Sequence, residues 1–281
     1  MVSLPSVAIY GLGIIGSRCA DQLRGNGNTV QTWNRTPKPR EDSFHDPASA
    51  AEGADFLCFY LKDGVALREV FTSLKKHLKS EQTILNHSTV DLESTQWLAE
   101  QCAEIGCAFL DAPFTGSKDA AAQGALVYYV GGDAQTLQKS RSLLEVTSKE
   151  IKHLGPVGSA TVVKIGTNLI SASTVQALAE ALAITKAHGI DPEIFTQAVT
   201  SNASGSLLAQ MKLPTMASGN YDTHFSMENM LKDSRFALQL ADMAGLDTPG
   251  IRSTSEAMEK QCQQGHEHLD FSALFKAYEE G

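Results

Sequence analysis

Several stretches of this chain carry groups able to do chemistry. The first is Gly11-Leu12-Gly13-Ile14-Ile15-Gly16, which follows the apolar run Val7-Ala8-Ile9-Tyr10 and precedes a helix-compatible stretch from Ser17 to Arg24. A strand, a G-x-G-x-x-G turn and a helix in that order present free backbone N–H groups and a positive helix end to the pyrophosphate of a dinucleotide. The second is Asp111-Ala112-Pro113-Phe114-Thr115-Gly116-Ser117. Its Thr115-Gly116-Ser117 turn can offer two hydroxyls and successive N–H groups to a carboxylate, with Lys118 beside it. The third is Lys164 with Asn168, spaced to share one face of a helix. A desolvated ammonium at Lys164 can hydrogen-bond a substrate carbonyl oxygen and pass it a proton. A lysine whose stem merely covers its apolar neighbours Val162, Val163, Ile165 and Leu169 fits the same spacing. Between Phe225 and Asp233, the residues Phe225, Lys232 and Asp233 can reach the same cleft, or Lys232 and Asp233 can form a solvated pair.

The tip of the second strand bears on which dinucleotide fits. A site for NAD usually places an acid about 20 residues beyond the glycines, where it accepts hydrogen bonds from the ribose hydroxyls. Here Thr29-Val30-Gln31-Thr32-Trp33 ends in Asn34-Arg35-Thr36-Pro37-Lys38-Pro39-Arg40. A carboxylate would repel a 2′-phosphate, whereas the Arg35 guanidinium can take it bidentately and stack on the adenine. NADPH is therefore the expected cofactor, held by Gly11 to Gly16 and by Asn34, Arg35 and Thr36. Lys38 and Arg40 read equally well as ligands or as solvated loop. Two further strand-end loops, Leu61-Lys62-Asp63-Gly64 and Ser88-Thr89-Val90-Asp91, lie where open parallel sheets bind ligands. Ser88 or Thr89 can bond the cofactor, and Asp91 can cap a following helix.

Alternating strands and helices must position these groups. Apolar runs at 56–60, 83–87, 108–110, 126–130 and 151–154 alternate with helical stretches, which predicts a doubly wound, mostly parallel sheet of Rossmann type. Beyond Pro156 the pattern changes. Apolar residues recur at helical spacing from Ala160 to Ala187 without proline, longer than the roughly 8 to 20 residues of an ordinary globular helix. His188-Gly189-Ile190-Asp191-Pro192 ends it, with Gly189 as terminator and Asp191 capping the next helix. The expected architecture is α/β: a dinucleotide-binding domain over 1–156, then an all-α substrate and dimerisation domain over 157–281, joined by the long helix. One face of such a helix is left for a partner, so a homodimer or homotetramer is expected.

Composition excludes several classes. The chain has 281 residues, 42% hydrophobic and 20% charged, an ordinary globular profile. A formal net charge of -9 argues against a nucleic-acid surface. Cys19, Cys58, Cys102, Cys107 and Cys262 are scattered and odd in number, which implies neither a disulfide framework nor a metal site. Reduced thiols, no charged leader in Met1-Val2-Ser3-Leu4-Pro5 and no apolar run of membrane-spanning length make a cytoplasmic protein the expectation.

Taken together, G-L-G-x-x-G, N-R-T, S-T-V-D, D-A-P-F-T-G-S-K with Gly124, Gly155-Pro-Val-Gly158 with K-x-x-x-N, and Lys232-Asp233 make the chain similar to the β-hydroxyacid dehydrogenase family over essentially its whole length. The Asn-Arg-Thr tip, the Gly-Ser-Lys turn and Leu269-Asp270-Phe271-Ser272-Ala273-Leu274 resemble the glyoxylate/succinic semialdehyde reductase branch most. That resemblance implies NADPH-dependent reduction of a small oxo acid to a hydroxy acid. It further implies Lys164 as the catalytic lysine, Asn168 as its companion at the substrate, and Thr115, Gly116 and Ser117 as the carboxylate turn. Thr89 and Lys232 match cofactor contacts, alongside Leu61 and Lys62, and Phe225 and Asp233 match residues lining the substrate cleft. Ile15 stands where methionine is usual, His87 where an acidic or apolar residue is commoner, and Phe114-Thr115 replaces Val-Ser. An imine reductase or a 3-hydroxyisobutyrate dehydrogenase would share the fold; the first generally lacks the lysine, and the second normally carries an acid at the strand tip. A non-catalytic nucleotide-binding module would lack the lysine too.

Overall fold

The computed structural model describes residues 4–38, 40 and 42–279. It divides into two compact units, Met1–Lys164 and Ile165–Gly281. The division falls inside the long helix rather than before it.

In the first unit, β1 (Val7–Tyr10), α1 (Ile14–Gly25), β2 (Val30–Trp33), β3 (Ser43–Phe44), α2 (Pro47–Ala51), β4 (Phe56–Phe59) and α3 (Gly64–Leu74) are followed by β5 (Thr83–Asn86), α4 (Leu92–Ile105) and β6 (Ala108–Asp111). Then come β7 (Phe114–Thr115), α5 (Lys118–Ala122), β8 (Leu126–Gly132), α6 (Ala134–Thr147) and β9 (Ser148–Gly155). The strands form one sheet in the order β3-β2-β1-β4-β5-β6-β8-β7, with β9 on β8. From β3 to β6 every pairing is parallel; β8 runs antiparallel to β6 and β7, and parallel to β9. Central strands such as Val-Ala-Ile-Tyr and Phe-Leu-Cys-Phe are buried at every position. Continuous apolar runs of that kind suit a sheet covered on both faces. On one face pack Cys19, Ala20 and Leu23 of α1 with Leu137, Leu143 and Leu144 of α6; on the other lie Leu67, Val70 and Phe71 of α3 with Leu98 and Cys102 of α4. Chain order reverses between β1 and β4, the switch point where such sheets bind ligands.

Two short strands escape the sequence pattern. Phe114–Thr115, read from sequence as part of a turn, pairs with Tyr128 and Val127 of β8, and Ser43–Phe44 extends the far edge. Two residues are too few to show a period.

The helix α7 runs Ser159–Ala187, close to the span its apolar spacing indicates. Gly189 takes φ +77, and the Asp191 side chain accepts from Glu193 N–H at 2.7 Å. In the second unit, α7 from Ile165 onward packs with α8 (Pro192–Thr200), α9 (Leu207–Ser218), α10 (Met227–Met243), α11 (Pro249–Gln263) and a 3-10 segment, Phe271–Tyr278. Val175, Ala179 and Leu182 of α7 meet Leu213, Met216, Met230, Ile251, Met258, Leu274 and Phe275 in its core. A buried ion pair crosses that core. Lys212 donates to both carboxylate oxygens of Asp270 at 2.7 and 2.9 Å, and Asp270 also accepts from the N–H groups of His224 and Phe225. Burying two charges is tolerable only with such full satisfaction. The five cysteines are all free thiols.

Candidate active site

The glycine turn is shaped by what its glycines exclude. A Cβ on Gly11 would come within 2.2 Å of the Tyr60 carbonyl oxygen, and one on Gly16 within 2.0 Å of the Gly11 carbonyl oxygen. Backbone stands at both places, so no side chain fits. Over Gly13 nothing lies within 4 Å of the corresponding position. Gly13 is also the N-cap of α1 and supplies no capping side chain, and the first turn carries no acid. The leading N–H groups of α1 are therefore offered to an outside anion, beside open space and the positive end of the helix. This cradle fits a dinucleotide pyrophosphate.

Asn34 sits at the tip of β2 and locks that turn. Leu12 N–H donates to Asn34 Oδ1 at 2.8 Å, and Asn34 Nδ2 donates to the Thr36 carbonyl at 2.6 Å. Lys38 Nζ donates to the Leu12 carbonyl. Arg40 pairs with Asp21 and Asp42, which Arg24 also engages. Lys38 and Arg40, left open by sequence, are thus committed to holding the loop. Arg35 and Thr36 are exposed at the strand tip.

The two loops beyond β4 and β5 are tied together. Leu61 N–H donates to Ser88 Oγ at 2.8 Å, and Ser88 Oγ donates to the Phe59 carbonyl at 3.2 Å. Ser88 is thereby a brace. Asp91 caps α4 through Ser94 N–H at 2.7 Å, and Asp63 caps α3 through Ala66 N–H at 2.8 Å. Lys62 is exposed and Thr89 half-buried at the rim of these loops. Beneath them His87 is fully buried, stacked on Tyr60 at 4.7 Å and tilted against Tyr128 at 4.8 Å. Its Nδ1 lies 2.7 Å from the Ala112 carbonyl. Because a carbonyl only accepts, that nitrogen carries the proton. Burial pushes the imidazole pKa down to about 4, so the ring is neutral near pH 7.

After β6 the chain enters the Thr115-Gly116-Ser117 turn. Thr115 is half-buried in β7, Gly116 is exposed, and the Ser117 hydroxyl accepts from Ala120 N–H at 3.2 Å as the cap of α5. Immediately before the turn, Asp111 has no exposed surface. One of its oxygens accepts from Thr161 N–H at 2.9 Å and Gly158 N–H at 3.2 Å, and the other from the Thr161 hydroxyl at 2.8 Å. The Thr161 hydroxyl also meets that of Thr95 at 2.9 Å. Burial raises the Asp111 carboxyl to about 6 despite these donors, leaving it ionised near neutrality. Lys164, half-buried, follows one helical turn beyond Thr161.

In the second unit Asn168 is buried on α7, and its Nδ2 donates to Asp233 of α10 at 2.6 Å. Lys232 Nζ lies 2.9 Å from the other Asp233 oxygen. Asp233 is almost wholly buried, which makes the solvated pair allowed by spacing the wrong reading for it. The Phe225 ring packs edge-on against Phe271, with its N–H on Asp270. Asn168, Asp233 and Lys232 therefore form one connected chain, with Phe225 held by a separate hub.

Sequence reasoning gave Asp111 no role of its own. The signals were a lone acid closing the apolar strand Ala108-Phe109-Leu110-Asp111 and a glycine, Gly158, where α7 would otherwise have a capping side chain.

Comparison with known proteins bears on the family and the fold. A family model described as the NAD binding domain of 6-phosphogluconate dehydrogenase matches residues 6–155. Another, described as the NAD-binding of NADP-dependent 3-hydroxyisobutyrate dehydrogenase, matches residues 158–278. Glyoxylate/succinic semialdehyde reductase 2, chloroplastic, of Arabidopsis thaliana is 29% identical over 97% of this chain and 79% of that protein. Glyoxylate/succinic semialdehyde reductase 1 of the same plant is 29% identical over 96% of this chain and 97% of its own length. Among solved structures, Mycobacterium tuberculosis 3-hydroxyisobutyrate dehydrogenase with L-serine shares the fold at a TM-score of 0.90 and 23% identity, covering 98% of this chain and 99% of that one. Fold and cradle define an NAD(P)-dependent oxidoreductase. The chain belongs to the β-hydroxyacid dehydrogenase family.

Proposed function

We propose that the protein is an NADPH-dependent reductase converting the aldehyde of a small oxo acid, such as glyoxylate or succinic semialdehyde, to the hydroxy acid. The observation that carries this reading is Lys164, half-buried on α7 in the same compact unit as the glycine cradle and the Thr115 turn. Gly11 to Gly16, Asn34, Arg35, Thr36, Leu61, Lys62, Thr89 and Lys232 hold the cofactor. Bound NADPH supplies a hydride to the aldehyde carbon. The Thr115 hydroxyl and the backbone N–H groups of the Gly116-Ser117 turn hold the substrate carboxylate, which keeps the carbonyl in one orientation. Lys164 donates a hydrogen bond to the carbonyl oxygen, stabilises charge developing there, and gives the alkoxide its proton. Asn168, Phe225 and Asp233 are assigned to the substrate. The Asn168 to Asp233 hydrogen bond supports grouping those two.

The exposed Arg35 at a strand tip lacking an acid supports NADPH over NADH. Ile170 and Ile184 on α7 and Ile194 on α8 are exposed, which supports a homodimer or homotetramer. Among the described residues no helix is long and apolar enough to cross a membrane, and no cluster of metal-ligating side chains occurs.

The test is oxidation of NADPH and of NADH by the purified protein against glyoxylate, succinic semialdehyde, methylmalonate semialdehyde and a cyclic imine. Turnover of an oxo acid with NADPH favoured supports the reading. Turnover of the imine alone, or of none, overturns it.

A further inference from the structure

The N-terminus of α7 lacks a capping side chain of its own. Gly158 precedes its first residue and has no side chain to accept a bond; the Ser159 N–H reaches the Pro156 carbonyl at 3.1 Å, and the Gly158 and Thr161 N–H groups need an acceptor from elsewhere. Asp111 supplies what Gly158 cannot. From the end of β6, 47 residues before Gly158 and 50 before Thr161, its carboxylate accepts the N–H of Thr161, the N–H of Gly158 and the Thr161 hydroxyl. A carboxylate here also meets the positive end of the helix. Three bonds from two carboxylate oxygens fix the helix both along its axis and about it, because Oδ1 and Oδ2 engage different atoms. Packing closes the remaining freedom. A Cβ on Gly131 of β8 would lie 2.7 Å from the Pro156 carbonyl and 3.3 Å from Ala160 N, so the helix start rests directly on the sheet.

The same residue opens the turn at Thr115, and Lys164 follows Thr161 by one helical turn on the same side of α7. We propose that Asp111 is a positioning residue for the reaction, setting Lys164 at a fixed distance and rotation relative to the Thr115 turn by capping α7 from β6. The proposal rests on Lys164 being the proton donor. Displacing a catalytic group by about 1 Å can cost on the order of 100-fold in rate, so a device that fixes helix and turn from one carboxylate acts on kcat rather than on affinity for the cofactor.

The test is a double-variant cycle on the full chain with glyoxylate, reading kcat, KM for the oxo acid and NADPH affinity by nucleotide fluorescence. Thr161→Val keeps the shape and removes the hydroxyl that donates to Asp111 and meets that of Thr95; Asp111→Asn is the stronger lesion, and circular dichroism checks that each variant is folded. The expected result is a fall in kcat of about 10- to 100-fold with unchanged NADPH affinity. Recovery of most of the rate is expected in Thr161→Ser, and no further loss when either lesion is added to Lys164→Ala. Folded Thr161→Val and Asp111→Asn proteins with unchanged kcat would overturn the role of Asp111 while leaving Lys164 in place. Additive losses in the Lys164→Ala background would also overturn it, by showing that Asp111 acts elsewhere. A fully active Lys164→Ala protein would instead remove the reading on which the proposal stands.

Discussion

The side-chain oxygen of Asn34 accepts the backbone N–H of Leu12 at 2.8 Å, joining the tip of β2 to the glycine turn after β1. The residue that an NAD site would use as an acid for the ribose is here an amide with a structural bond. Asn34→Asp would keep the acceptor for Leu12, lose the donor to the Thr36 carbonyl, and add a negative charge where a 2′-phosphate is proposed to bind. A hydrogen bond to a charged group contributes about 1.5 to 3 kcal/mol, which corresponds to roughly 10- to 100-fold. Steady-state kinetics should show the kcat/KM ratio of NADPH to NADH falling by that order in Asn34→Asp and in Arg35→Ala. Equal effects on both cofactors would contradict the assignment.

Two buried groups in the first unit titrate with opposite effects on stability. His87 is pushed from its ordinary 6.5 to about 4 by burial, so it contributes stability that is present above pH 6.5 and lost as pH falls toward 4. Asp111 is raised from 3.8 to about 6, also by burial; its contribution is greatest below pH 3.8 and is lost as pH rises through 6. Between about pH 4 and 6 the two slopes oppose one another. Urea denaturation across this window should show His87→Phe gaining on the wild type as pH falls, by on the order of 3 kcal/mol from pH 6.5 to 4. Asp111→Asn should lose ground over the same range. A pH-independent difference for His87→Phe would mean that His87 is not held neutral.

Much of the fold is written locally and was legible for that reason. The cradle needs glycines at Gly11, Gly13 and Gly16 between a strand and a helix, and all of those signals are adjacent in sequence. The long helix shows in an unbroken apolar period ending at Gly189. Roles that depend on distant partners were not legible. Arg40 reads as a ligand or as solvated loop until Asp21 of α1 is brought beside it. Asp111 reads as the end of a strand until Gly158 and Thr161 arrive 47 and 50 residues later. Ser88, an apparent cofactor contact, is occupied by Leu61 and Phe59 because the β4 and β5 ends lie side by side in a parallel sheet.

Lys164 is the centre of the proposed reaction, since the glycine cradle alone explains binding and not reaction. Single-turnover NADPH oxidation by Lys164→Ala, with glyoxylate or succinic semialdehyde and with NADPH affinity measured in parallel, tests it most directly. A general acid supplies about 100- to 10,000-fold, so the predicted result is loss of the reduction step on that scale with cofactor binding intact. Reduction at the wild-type rate in that variant would remove Lys164 from the chemistry.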